Sequence, residues 1–175
     1  MLKTSSELCD SRRVRASLHG PTMATRWSVL CDVDHALDQA ALHRELAAAV
    51  EEVDRQMSPW KPDSALMRLN RSAPGEWLEL PAEIMTVLAR AREIPPPSGG
   101  PSAPAAGALL NAWGFGAERD APDAAAIRTA TQAGSQAHQQ LELDPAAGRA
   151  RRHAPVQIDL CGIAKGYGVD RLVEV

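Results

Sequence analysis

The sequence predicts an α+β fold, a mostly antiparallel sheet with helices packed on it. Three stretches carry that expectation. Between Asp38 and Met57 the apolar residues Leu42, Leu46, Ala49, Val50, Val53 and Met57 recur at three- and four-residue steps, the period of an amphipathic helix. From Thr25 to Val33 the run contains RWSVLCDV, with the β-branched and aromatic content of a strand. Farther on, QQLELD and RARRH flank DPAAG, a turn-rich hairpin connection.

The remaining elements follow in chain order. Residues 1–19 are polar and aperiodic and read as a loose arm, with Gly20-Pro21 as the breaker before the first strand. Residues 20–175 then read as one domain, of a length that buries a real core. Pro59 and Pro62 bracket a turn around Trp60, and a short helical piece follows from Ser64 to Asn70. Pro81 opens a second helix with Ile84, Val87, Leu88 and Ala91 on one stripe, and Pro95-Pro96-Pro97 forbids it beyond Ile94. Residues 95–107 look like low-complexity loop, but LLNAWGFG resumes a packed segment at once, with Trp113 and Phe115 read as core. Pro122 opens a small helix through Ala130. VQIDL reads as a strand, and a helix from Gly162 to Val175 carries Ile163, Val169, Leu172 and Val173 on its apolar side. The chain ends inside that helix, which reads as truncation.

Composition excludes several classes. Apolar residues at 45% and charged residues at 23% mark a globular chain. A net charge of −3 gives no basic footprint for nucleic acid. No stretch approaches the roughly 20 apolar residues of a membrane helix, and the start has no apolar run long enough for a signal-peptide core. The sequence therefore reads as soluble, with no visible export signal. Cys9, Cys31 and Cys161 lack the close spacing of a zinc knuckle or redox dithiol.

The chemistry concentrates in Asp159-Leu-Cys-Gly-Ile-Ala-Lys165-Gly166-Tyr-Gly-Val-Asp170. A strand ends in a small-residue turn that opens a helix, whose exposed N–H groups and positive dipole end suit a phosphate. Lys165 adds a full charge in the first turn, and Asp159 can accept a hydrogen bond from a ligand or orient a metal-bound water. The Walker A spacing is absent. On the residues alone, an ordinary strand–helix junction with a surface lysine stays open.

DLCGIAKGYGVDRL resembles the D-L-G-G-I-A-K-G-Y-x-x-D segment of the FAD:protein FMN transferase family. Four other stretches agree with that family in the same order: GPTMAT, MSPWKPDSALMRLN, Ser98-Gly99-Gly100 and NAWGFG. The resemblance implies an α+β flavin-transferase fold, of which this chain is the N-terminal part. It also implies Mg²⁺-dependent transfer of FMN from FAD to a threonine or serine hydroxyl of an acceptor flavoprotein, releasing AMP. A non-catalytic FAD-binding fragment and an FAD pyrophosphatase are the alternatives. By the same resemblance Met23 packs on the flavin nucleotide, Trp60 stacks on one of its rings, Asp159 and Lys165 contact FAD, and the Gly162 carbonyl lies at the magnesium. Ser64 and Asn70 cap and tie the turn, Asp170 is structural, and Arg149, Arg151 and Arg152 are solvated on their hairpin. None of His19, His35, His43, His138 and His153 falls on a family motif. The chain departs from the family after Gly100, where Pro101-Ser102-Ala103-Pro104 replaces A-F-D-P, and the family's later metal ligands lie beyond Val175.

Overall fold

The structure, a computed structural model, describes residues 13–93, 107–115, 121–133 and 137–175. Its elements are β1 (Arg13–Thr22), β2 (Thr25–Asp34), α1 (Gln39–Met57), α2 (Ala65–Arg71), β3 (Leu78–Glu79), α3 (Ala82–Glu93), α4 (Gly107–Ala112), α5 (Ala124–Ala133), β4 (Leu141–Asp144), β5 (Arg149–Arg152) and α6 (Cys161–Glu174). Among the described residues both sheets are antiparallel, one pairing β1 with β2 and the other ordered β3-β5-β4. The expected α+β class is what the chain forms. The chain divides into two compact units, residues 13–51 with Gly168–Val175, and Glu52–Tyr167.

In the first unit, β1 and β2 pair along their full length, from Arg13 opposite Asp34 to Thr22 opposite Thr25. Residues 13–19, expected as part of a loose arm, are therefore strand. Gly20-Pro21 does not break the run either. Gly20 sits opposite Trp27 with the indole laid over it, so a Cβ there would lie 2.8 Å from Trp27 Nε1. Pro21 is tolerated because a two-stranded ribbon is all edge. The chain turns instead at Met23 and Ala24, both with positive φ (46° and 56°). A two-residue hairpin turn demands that conformation, which Asn-Gly adopts at little cost and side-chain-bearing Met and Ala do not. Leu18, Trp27, Leu46 and Val50 form the core here. His43 packs against Trp27 with ring centroids 5.2 Å apart and donates through Nε2 to the His19 carbonyl at 3.0 Å. Asp38 caps α1, its carboxylate accepting from Ala40 N–H at 2.9 Å and Ala41 N–H at 3.1 Å.

An apolar groove of about 710 Å³ remains open in the same unit, lined by Val29, Cys31, Val33, Leu42, Val169 and Val173, among others. Val169 and Val173, assigned from the sequence to the apolar side of their helix, are largely exposed there.

The second unit closes over its apolar residues. Val53, Leu66, Leu69, Ile84, Val87, Leu88 and Leu160 are fully buried. Buried Gln56 organises the start of α3. Its carbonyl accepts from Ile84 N–H at 3.1 Å and its amide donates to Glu83 at 2.7 Å, so a neighbouring helix satisfies an end that would otherwise hold orphan donors. Ser64 caps α2 as expected, accepting from Met67 N–H at 3.1 Å while its hydroxyl donates to the Ser58 carbonyl at 2.7 Å. Asp123 caps α5 in the same way, accepting from Ala125 and Ala126.

NAWGFG has a local explanation. Gly114 (φ +82°) follows α4; its N–H bonds the Asn111 carbonyl and that of Phe115 bonds the Leu110 carbonyl, the paired bonds of a Schellman stop. Gly107 and Ala112 are the buried residues of α4, whereas Trp113 and Phe115, expected in the core, are exposed. Ser98-Gly99-Gly100 and Pro101-Ser102-Ala103-Pro104 lie outside the described residues.

The hairpin β4–β5 forms as expected, and its pleat separates four residues by period two. Arg149 and Arg151 point one way and hold the Trp77 ring between them, 4.6 and 4.4 Å from its centroid. Cross-strand partners Asp144 and Glu142 pair with them at 3.0 and 2.8 Å. Ala150 and Arg152 point the other way and are buried. Arg152 was expected in solvent; alternation along the strand puts it inside.

Candidate functional site

The site grows from a stretch that fails to become a strand. VQIDL, residues 156–160, is extended but enters no ladder. The missing neighbour is replaced by one side chain. Asn70 receives the Ile158 N–H on its Oδ1 at 2.9 Å and donates Nδ2–H to the Ile158 carbonyl at 2.8 Å, so an amide does the work of a strand edge. Asn70, expected to tie its own turn, instead holds a segment 88 residues away. Two carbonyls flanking this clamp are held by Arg152, whose Nη1 donates to Val156 O at 2.6 Å and Nη2 to Ser72 O at 2.5 Å.

One residue past Ile158, the Asp159 carboxylate accepts the Cys161 N–H at 2.8 Å and so fixes the first turn of α6. Leu160, fully buried, anchors the junction, and its carbonyl accepts from Ile163 and Ala164. The next turn presents Gly162, Lys165 and Gly166 to solvent. Gly162 and Gly166 stand four residues apart, on one face of the helix, and a Cβ built on either meets nothing within 4 Å. An interior helix glycine costs about 0.8–1.0 kcal/mol relative to alanine, and no close packing explains these two. They leave bare backbone open to a ligand beside the Lys165 ammonium, which has no ion-pair partner among the described residues. Asp159, Gly162 and Lys165 all stand at the start of α6, and Gly166 joins them on the exposed face by its helical offset.

Cys161, where the family motif has glycine, reaches the surface, but burial of its thiol and the neighbouring Asp159 carboxylate push its pKa up to about 11, against a smaller opposing pull from Lys165. At neutral pH it is a thiol, not a nucleophilic thiolate.

Trp60, 60% exposed, stands on the turn 58–63, and its backbone N–H donates to Ser58 Oγ at 3.2 Å. Lys61 secures that turn through Asp54 at 2.7 Å. No hydrogen bond or ion pair joins Trp60 to the start of α6 among the described residues. In the other unit Met23 is half-buried at the hairpin tip, its Cε lying over Gly168.

Magnesium fares differently. The ion asks for about six oxygens in near-octahedral array, one or two of them carboxylates. Gly162 lies inside α6, where a carbonyl points along the axis to an N–H four residues on. Among the described residues no group of three or more His, Cys, Asp or Glu side chains could hold an ion. The described residues do not by themselves assemble a ligand set for the metal.

The sequence profile of the ApbE family matches residues 23–175. A FAD:protein FMN transferase of Klebsiella pneumoniae (strain 342) is 31% identical over 179 residues, which cover 95% of this chain and 51% of the relative. One from Haemophilus influenzae is 30% identical, covering 95% of this chain and 50% of its own length. In three dimensions the apo form of the flavinyl transferase ApbE of Pseudomonas stutzeri superposes with a TM-score of 0.80 at 27% identity, over 93% of this chain and 55% of that one. The flavin transferase ApbE of Vibrio cholerae gives a TM-score of 0.77 at 26% identity, over 93% of this chain and 53% of that one. The chain spans about half the length of the curated relatives it matches.

Proposed function

The chain belongs to the ApbE family, and from that premise we propose that it is the nucleotide-holding part of an FAD:protein FMN transferase. In the proposed reaction a threonine or serine hydroxyl of an acceptor flavoprotein attacks the FMN phosphorus of FAD. The new P–O ester forms, the bond to the AMP phosphate breaks, AMP leaves, and the hydroxyl proton passes to a base. Lys165 holds the pyrophosphate as a point charge beside the bared turn of α6, whose positive dipole end favours negative charge. Asp159 holds that turn in place. Trp60 stacks on a ring of the dinucleotide and Met23 packs against it. The curated relatives, all named FAD:protein FMN transferases, support this reading. The single observation that carries it is the pair of uncrowded glycines flanking Lys165.

Magnesium is part of the family's implied chemistry, and the described residues do not assemble its ligands. For the same reason a second reading has support: residues 1–175 alone hold FAD without transferring FMN.

The test is a titration of the chain with FAD, followed by tryptophan fluorescence and repeated with Trp60→Ala and Lys165→Ala. Trp60→Ala is expected to weaken binding by about 1–3 kcal/mol, the scale of aromatic–base stacking. Fluorescence that stays flat up to roughly millimolar FAD, where binding would be worth only about 4 kcal/mol, would sink the proposal. Covalent FMN on an acceptor incubated with residues 1–175, FAD and Mg²⁺ would overturn the second reading and leave the first standing.

A further inference from the structure

Arg152 is not among the groups proposed to hold the nucleotide. It is 3% exposed, it faces no carboxylate among the described residues, and its Nε has no partner. Burying a guanidinium without a counter-ion is costly, and an apolar side chain of similar volume generally serves stability as well or better. Stability alone therefore gives a poor account of it. What the guanidinium does have is a fork, and the fork spans two pieces of chain: Ser72 O at the end of α2 and Val156 O in the ladderless segment. Asn70, from the last turn of the same helix, grips Ile158 two residues farther on. Asp159 comes next, and through it the first turn of α6.

We propose that Arg152 is a positioning residue. Together with Asn70 it fixes residues 156–158 on the end of α2, so that Asp159, the bare glycine face and Lys165 are presented in one geometry to the phosphates of FAD. The proposal rests on the nucleotide-holding reading and names the device that makes the site rigid. Removing the fork frees Val156 and lets the α6 start sample several positions, so phosphate binding has to include the cost of ordering it.

Arg152→Met and Arg152→Lys test this in the whole chain by two readouts. One is amide hydrogen exchange, which needs no ligand. Arg152→Met is expected to speed exchange over residues 156–165 by about tenfold or more, leaving Ile84 to Ala91 as they were. The other is FAD affinity, expected to fall about tenfold, the loss of a charge-assisted hydrogen bond. Arg152→Lys keeps the charge and one bond and should fall between. If Arg152 acts through the placement of Lys165, then Lys165→Ala should cost less affinity in the Arg152→Met background than in the wild type. A merely structural role would leave those losses additive. Unchanged exchange at 156–165, equal acceleration in α3, additive affinity losses, or loss of a cooperative melt in both variants would each overturn the proposal. A wild-type chain that does not bind FAD would remove the nucleotide-holding reading instead, and the exchange pattern would still decide whether the clamp exists.

Discussion

The two units of the chain use the same kind of apolar patterning and reach opposite results. In Glu52–Tyr167 the leucines and valines of α2 and α3 are sealed, and Gln56, Ser64 and Asn70 satisfy the backbone groups left between them. In the hairpin unit Leu18, Trp27, Leu46 and Val50 are buried, yet Leu30 is 66% and Val173 82% exposed beside an open groove. An amphipathic period says which face wants cover. Whether cover exists depends on a second layer that the period does not encode. The difference teaches that the second unit is stabilised from within, and that the hairpin unit holds apolar surface in excess of what it can bury.

The contrast breaks most easily at its centre. Leu69→Ala removes a fully buried side chain from α2 and is expected to cost about 2–5 kcal/mol, whereas Leu30→Ala should stay within about 0.5 kcal/mol. Urea midpoints measured on both variants check this, and equal shifts would erase the distinction between the units.

Helix caps sharpen the comparison at a smaller scale. Asp38 and Ser64 both cap helices, but Ser64 is buried and also donates to Ser58 O, so removing it orphans an interior carbonyl. Ser64→Ala is expected to cost about 2 kcal/mol and Asp38→Ala about 1 kcal/mol, read from thermal melts.

The smallest effect is electrostatic. Hydrogen bonding to Arg151 holds the exposed Glu142 carboxyl below its ordinary value, with His153 adding to the shift. A depressed carboxyl contributes stability above its unfolded pKa and loses it as pH falls through the folded value. The melting temperature of wild type should therefore exceed that of Glu142→Gln by a small margin at pH 7, with the margin shrinking below the carboxyl's ordinary 4.5. A margin that grows on acidification would reverse the assigned sign.

Much of this was legible in the sequence because it was written locally. The helix over Asp38 to Met57, the Ser64 cap and the DPAAG hairpin each depend on neighbours within a few residues, and all form. The misses share a different cause. VQIDL has strand composition, but its partner is a side-chain amide 88 residues away, invisible to any local pattern. Trp113 and Phe115 looked like core by residue type, although their motif encodes a helix stop. Residues 13–19 are polar because a two-stranded ribbon shows one face to water, and such polarity reads in sequence like looseness. For the candidate site, the motif points to Asp159, Gly162 and Lys165, while at Arg152 charge argues for solvent and strand parity for the interior. Parity won.

Met23 and Ala24 at the tip of the first hairpin set two selective pressures against each other. Two side-chain-bearing residues held at positive φ cost on the order of 1–2 kcal/mol each. Asn-Gly would relieve that load and also remove the thioether that reaches Gly168. A mutational library screened for thermal tolerance alone should accumulate Asn and Gly at these two positions; one screened for the proposed flavin binding should keep methionine at the first and leave only the second free to drift. The tip would then evolve as two independent letters, one answering to the backbone and the other to the ligand.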